Sequence, residues 1–135
     1  MYMSAYATAN ALQRYQNDNV MMARPIELTI MLYEGLIKKL KLAKICTEDR
    51  DYEKANKYFI GAQDIIDELL HSLDLRYEVS ASLMKLYDFM LWQTAQANMT
   101  KDVNLVDPVL TIAEELRDAW QAIRNECGHS YAIEE

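Results

Sequence analysis

Length, composition and charge narrow the class of protein before any motif is considered. The 135 residues suit one domain with a single core, and their three glycines and two prolines favour an all-α fold over one built from strands and turns. The net charge of −7 argues against binding to nucleic acid or to anionic membranes, because both would repel an acidic protein.

Residues 1–24 are predicted to form an arm separate from the domain. Tyr2 and Leu12, with alanines between them, can line one side of a short helix, but the polar stretch QNDN then interrupts the pattern. We expect a mobile or short-helical N-terminal arm, since chain ends without a packed apolar face are weakly held. No 18-residue apolar run or secretory leader is found, so we expect a cytoplasmic protein with no direct membrane insertion.

Four segments after the arm carry apolar residues at alternating spacings of three and four, which is the spacing of one helix face. The predicted helices cover residues 25–46, 52–73, 80–100 and 106–127. Their inward positions are Tyr33, Leu36, Ile37, Leu40 and Ala43; Tyr52, Ala55, Phe59, Ala62, Ile66, Leu69 and Leu73; Leu83, Leu86, Tyr87, Met90, Thr94 and Ala97; and Val106, Val109, Ala113, Leu116, Trp120, Ile123 and Cys127.

Capping residues and short connections mark the helix ends. Asp49 or Asp51 can cap the second helix, Asp107 with Pro108 can open the fourth, and Gly128 is placed to end it. The connections at residues 47–51, 74–79 and 101–106 are short, which makes neighbouring helices antiparallel. The predicted fold is an all-α, antiparallel up-down-up-down four-helix bundle over residues 25–128, followed by a flexible tail at residues 129–135.

No arrangement of residues predicts catalysis or a cofactor. Glu68 with His71, and Glu126 with His129, have the Glu-x-x-His spacing of di-iron bundles. The register of the second helix puts His71 on its outermost position, and His129 follows the glycine expected to end the fourth helix. We therefore predict no metal site, no cofactor and no enzyme activity. The alternative is a phosphotransfer or metal-binding bundle centred on His71.

The first and third helices carry more large apolar residues than their inward stripes need. Leaving even four such side chains in water would forfeit roughly 6–12 kcal/mol of burial free energy, which is comparable with the stability of a small domain. We therefore predict a groove that binds a partner protein. The surplus residues are Leu28, Met31, Leu32, Leu42 and Ile45 on the first helix and Met84, Phe89, Leu91, Trp92 and Met99 on the third. The basic cluster Lys38, Lys39, Lys41 and Lys44 is interpreted as a solvated helix face.

The order of short motifs along residues 15–121 resembles the FliS family of flagellar secretion chaperones. The resemblance begins with YQNDNVMMARPIELTIMLYEGLIKKL and continues through KANKYFIGAQDIIDELLHSLD, LYDFM, QANMTKD and LRDAW. It implies a four-helix bundle that binds the disordered C-terminal segment of flagellin in the bacterial cytoplasm and prevents its premature polymerisation. It also implies delivery of flagellin to the membrane export gate of the flagellar type III export apparatus, and it leaves other flagellar regulators open as partners.

The resemblance assigns family positions to individual residues. Tyr15 matches the N-terminal tyrosine, Pro25 the helix-opening proline, and Tyr33 and Gly35 the Met-Leu-Tyr/Phe-Asp-Gly signature. A glycine inside a helix costs about 1 kcal/mol. Close approach by another backbone is the expected reason for Gly35.

The arm is given a gating role as a hypothesis. Its residues Tyr2, Tyr6, Leu12 and Tyr15 would occupy part of the groove in the free protein and leave it when flagellin enters.

The sequence departs from the family pattern at three places, of which Glu34 in place of the signature Asp is the mildest. Met22 and Arg24 stand where the family has hydroxyl residues, so the first helix should lack its customary cap. Trp92 and Gln93 stand where many relatives carry two arginines, which places in doubt any contact that depends on that charge.

Overall fold

The computed structural model describes the backbone of residues 25–134 and the side chains of residues 25–126. Four helices make up this part of the chain: α1 (Ile26–Glu48), α2 (Tyr52–His71), α3 (Glu78–Thr100) and α4 (Val106–Glu134), with a single 3₁₀ turn, Val103–Leu105, before α4. The predicted all-α four-helix fold is confirmed. The arm at residues 1–24 lies outside the described residues.

The start of α1 and the turn into α2 follow from local capping. Pro25 precedes α1 without a side-chain cap, as expected from the loss of the hydroxyl residues. At the other end, Arg50 takes a left-handed φ of 61°, its N–H donates to the Thr47 carbonyl, and the Asp51 N–H donates to the Cys46 carbonyl. These two bonds form a Schellman motif. Asp51 then caps α2 by accepting from the Lys54 N–H at 3.3 Å.

Two predictions about the ends of α4 are wrong. The helix starts at Val106, so Asp107 lies within its first turn and its carboxylate accepts instead from Lys44 Nζ of α1 at 2.8 Å. At the other end the helix continues through Gly128 to Glu134. A helical glycine costs only about 1 kcal/mol, so its presence does not force a helix to end.

The helices form a ring in which each neighbour is antiparallel. α1 packs against α2 and α4, and α3 packs closely against α2 and less closely against α4. The Cα atoms of α1 and α3 do not approach within 8 Å of each other, so these two helices lie across the diagonal of the bundle. No helix of the described residues is long and apolar enough to span a membrane.

The inward stripes predicted from the sequence make up most of the core. All predicted inward residues of α1 and α3 are buried, as are those of α4 from Val106 to Ile123. Tyr52 is the clear exception, because it is 49% exposed at the first position of α2, where no neighbouring helix covers it. Leu73 follows α2 and is partly buried, and the side chain of Cys127 lies outside the described residues.

A polar pair joins α1 and α3 across the core. The hydroxyl groups of Tyr33 and Tyr87, both fully buried, are hydrogen-bonded to each other. Burial raises the pKa of Tyr33 to about 12, an effect that the neighbouring Tyr87 hydroxyl and Trp120 indole reduce. Burial likewise raises the pKa of Tyr87 well above its usual value. These two tyrosines therefore stay neutral at physiological pH and connect the two diagonal helices.

Candidate partner-binding surface

None of the surplus apolar residues is fully buried. Leu28, Met31, Ile45, Trp92 and Met99 are exposed, and Trp92 and Met99 leave 60% and 78% of their surface open. The remaining five are partly buried, and Leu32, Phe89 and Leu91 among them pack against the edge of the core. These three therefore widen the core as well as bordering the surface.

Three of the surplus residues of α1 lie on the side of the helix away from the core. At 3.6 residues per turn, Met31 and Leu42 fall opposite the buried Tyr33 and Leu40, with Ile45 beside them. We call Met31, Leu42 and Ile45, with Glu34, Lys38 and Lys41 between them, the α1 face. It runs about 21 Å along the helix from Met31 to Ile45, at 1.5 Å per residue.

Two of the surplus residues of α3 also point outward. Trp92 and Met99 are seven residues apart and fall opposite the buried Leu83 and Met90. We call Trp92 and Met99, with Lys85 and Asp88 beside them, the α3 face. Met84, Phe89 and Leu91 border it on either side.

The structure does not bring the two faces together. Because α1 and α3 lie on the diagonal and turn their inner stripes toward each other, their outer faces point to opposite sides of the bundle. One groove formed jointly by both helices is therefore not present in the described residues. Two separate apolar faces take its place.

The family signature residues have different environments. Tyr33 is a core residue, and Pro25 precedes α1. At Gly35 an added Cβ would meet only one described atom within 4 Å, the Cδ1 of Ile65 in α2, at an ordinary contact distance of 3.5 Å. The expected close approach by another backbone is absent among the described residues, so their packing does not require this glycine.

Trp92 and Gln93 do not form one patch. Trp92 is exposed at the centre of the α3 face, while Gln93 is partly buried on the side of α3 that turns toward α4. The gating residues Tyr2, Tyr6, Leu12 and Tyr15 lie outside the described residues.

His71 is a surface residue at the end of α2. Its Nδ1 lies 2.8 Å from the Asp67 carbonyl oxygen and 3.5 Å from the Asp67 carboxylate, and its side chain is 75% exposed. Among residues 25–126, no group of three His, Cys, Asp or Glu side chains is placed to hold a metal ion. The side chain of His129 lies outside the described residues.

Three further exposed apolar side chains were not predicted from the sequence. Tyr52 and Ile60 of α2 are 49% and 45% exposed, and Leu75 in the connection to α3 is 65% exposed. Ile60 falls off the stripe set by Phe59 and Ile66, so the helical register already marked it as an outward residue. Leu75 carries no such signal, because it stands outside any periodic segment.

Comparison with known proteins identifies the family. The protein-family model described as flagellar protein FliS matches residues 8–127. The chain is 40% identical over 121 residues to the flagellar secretion chaperone FliS of Bacillus subtilis, covering 89% of this chain and 91% of that one. It is 30% identical over 130 residues to FliS of Vibrio cholerae, covering 92% of this chain and 96% of that one.

A solved structure agrees with this assignment at the level of the fold. The crystal structure of a bacterial flagellar chaperone superimposes with a TM-score of 0.71 at 24% identity, covering 87% of this chain and 97% of that one. The chain therefore belongs to the FliS family of flagellar secretion chaperones, which are not enzymes.

Proposed function

We propose that this protein is a cytoplasmic export chaperone that binds the disordered C-terminal segment of flagellin. It prevents premature polymerisation and delivers flagellin to the flagellar type III export apparatus. The observation that carries the proposal is the pair of exposed apolar faces on opposite sides of one small bundle.

The placement of the two faces favours a disordered client. A rigid globular partner would contact one side of the bundle and leave the other apolar face exposed to solvent. A disordered chain reaches both by wrapping around the bundle, and it folds as it binds. With helices 8–10 Å apart, half the circumference is roughly 35–40 Å, which about 12 extended residues would cover at 3.3 Å each.

The energetic reason for binding is the surface left open in the free chain. Fully burying one large apolar side chain is worth about 1.5–3 kcal/mol, so covering the open fractions of Met31, Ile45, Trp92 and Met99 is worth roughly 1 kcal/mol each or more. Methionine suits such a surface, because its flexible thioether repacks against different contours. Shielding the client segment in this way keeps it from other flagellin molecules.

Delivery requires a second set of partners. We infer that the loaded chaperone meets a component of the export gate at the membrane, where flagellin is released. Other flagellar regulators are further candidate partners. The arm remains a proposed gate over the same surface, and deleting residues 1–18 should tighten flagellin binding; unchanged affinity would reject that gate.

Co-purification with flagellin tests the proposal. Full-length flagellin from the same bacterium should bind, and flagellin without its C-terminal segment should not. Retention of the truncated flagellin at full strength would contradict the proposed client segment.

Substitutions on each face locate the binding surface. Replacing Trp92 and Met99 with serine should weaken binding by roughly 2–4 kcal/mol. The matched control replaces Tyr52 and Leu75, which are similarly exposed but lie outside both faces. Equal losses in the variant and the control would show that general apolarity, and not the α3 face, determines binding.

A further inference from the structure

The α1 face combines apolar side chains with a local excess of positive charge. The segment between Glu34 and Glu48 contains four lysines and no carboxylate, in a chain whose net charge is −7. Ile45 lies within this segment and is 54% exposed, and Met31 lies one turn before it and is 63% exposed. Exposed Glu34, four residues before Lys38, is the one carboxylate on this side of the helix between Met31 and Ile45. A basic, apolar stripe is thus built into an acidic protein.

Two of the four lysines have intramolecular roles. Lys44 pairs with Asp107 of α4 at 2.8 Å. Lys39 lies over α2, where its Cδ would be 2.8 Å from a Cβ added at Gly61. Lys38 and Lys41 are exposed and form no ion pair with any described residue. These two ammonium groups are available to a partner.

The helix dipole does not account for Lys38 and Lys41. Cations are favoured near a helix C-terminus, but the effect falls off within the last turn. α1 ends at Glu48, so Lys41 lies seven residues and Lys38 ten residues before that end. Their position is explained by neither the dipole nor a salt bridge within the described chain.

The α3 face differs from the α1 face in charge. Trp92 and Met99 are exposed to an extent comparable with Met31 and Ile45, but Lys85 and Asp88 next to them carry opposite charges. Both faces are apolar, but on the α1 face Lys38 and Lys41 outnumber Glu34, whereas the two charges of the α3 face balance. The two faces therefore favour different parts of a client.

We propose that the α1 face binds an amphipathic acidic segment of the client, in which Asp or Glu residues alternate with apolar ones at helical spacing. The apolar side chains cover Met31, Leu42 and Ile45, and the carboxylates meet Lys38 and Lys41. The inference rests on the proposed function and deepens it, because it fixes which client segment lies on α1 and leaves the uncharged apolar segment to α3.

Charge reversal tests the proposal with full-length flagellin as the probe. The variant is Lys38→Glu with Lys41→Glu, and the matched control is Lys54→Glu with Lys57→Glu. The control pair on α2 has the same spacing, is also exposed and makes the same change in net charge. Calorimetric titration should show about tenfold or greater weakening for the α1 variant, with a smaller change for the control. Screening predicts that the difference shrinks at high salt.

Each outcome decides between the proposals. Rescue of the α1 variant by flagellin whose C-terminal acidic residues are replaced by lysine would establish the pairing. If wild-type protein binds flagellin and the α1 variant binds it as tightly as the control variant does, the charge inference is wrong and the proposed function stands. If wild-type protein fails to bind flagellin, the proposed function falls, and this inference with it. Binding of wild-type protein to phosphatidylglycerol vesicles, lost in the α1 variant, would assign the lysines to a lipid surface and overturn the inference.

Discussion

The buried hydroxyl pair of Tyr33 and Tyr87 should show strong coupling in stability measurements. Each hydroxyl satisfies the other in the core, between helices that otherwise lie across the diagonal. Tyr33→Phe or Tyr87→Phe alone leaves one buried hydroxyl without its partner, which costs about 1–3 kcal/mol. Replacing both tyrosines removes both buried hydroxyls, so no hydrogen-bond partner is needed, and it keeps the two rings. The double variant should therefore be nearly as stable as the wild type.

A double-mutant cycle measures this coupling. The free energy of unfolding is obtained from urea denaturation followed by circular dichroism, with the slope against urea concentration compared among variants. We expect a coupling free energy of roughly 1–3 kcal/mol in favour of the paired states. The control is Tyr52→Phe, which removes an exposed hydroxyl and should change stability by less than about 0.5 kcal/mol.

One result would refute the reasoning. If the two single costs add up to the cost of the double variant within about 0.5 kcal/mol, the hydroxyls act independently. The nearby indole nitrogen of Trp120, which is buried without a hydrogen-bond partner among the described residues, would then be the better candidate to interact with the remaining hydroxyl.

Three further predictions concern pH and backbone. Because the pKa of Tyr33 is raised from 10.0 to about 12 and that of Tyr87 is also raised, the unfolded chain ionises first, and stability should be lost above pH 10. At 1.36 kcal/mol per pH unit, Tyr33 alone contributes a loss of roughly 2–3 kcal/mol by pH 12. The free energy of unfolding measured at a series of pH values checks this, and the same dependence on pH in the double phenylalanine variant would contradict it. Arg50→Gly should raise the free energy of unfolding by about 1 kcal/mol, because glycine adopts the left-handed position of the Schellman motif without Cβ strain; a lower melting temperature would show that the arginine side chain contributes there. Gly61→Ala should stabilise α2 by up to about 1 kcal/mol, since the nearest contacts of the new methyl are with the flexible end of Lys39. Destabilisation would mean that Lys39 cannot move.

The spacing of apolar residues along each helix explains why most of the core could be predicted from the sequence. A bundle buries one stripe per helix, so the spacings of three and four identified the buried residues from Tyr33 to Ile123 with few errors. The prediction that Tyr52 is buried was wrong, because the spacing of apolar residues does not show whether a neighbouring helix covers the first residue of a helix. The prediction that Gly128 ends α4 was wrong, because the free-energy cost of one helical glycine is too small to end a helix.

The candidate site was predicted only in part. The surplus residues are at least partly exposed, as the count of apolar residues indicated, but their placement on two opposite sides was not foreseen. An up-down-up-down ring sets its first and third helices across the diagonal, so one shared groove conflicts with the topology that the short loops predict. The charge of Lys38 and Lys41 was visible in the sequence. Their lack of ion-pair partners within residues 25–126 became evident only when Lys44 and Lys39 were located against α4 and α2.

The separation of inward and outward stripes predicts that stability and client binding can be changed independently. The inward stripes of the described residues are buried without a client, so release of a client need not unfold the bundle. Leu40→Ala in the core should lower the free energy of unfolding by about 2–5 kcal/mol, while the affinity of the remaining folded protein for flagellin changes little. Trp92→Ser should do the reverse, with a stability change of less than about 1 kcal/mol and a clear loss of affinity. Paired urea titrations and calorimetry on the two variants measure both quantities. If Trp92→Ser destabilised the free protein as much as Leu40→Ala, the α3 face would belong to the core and would not be free to exchange clients.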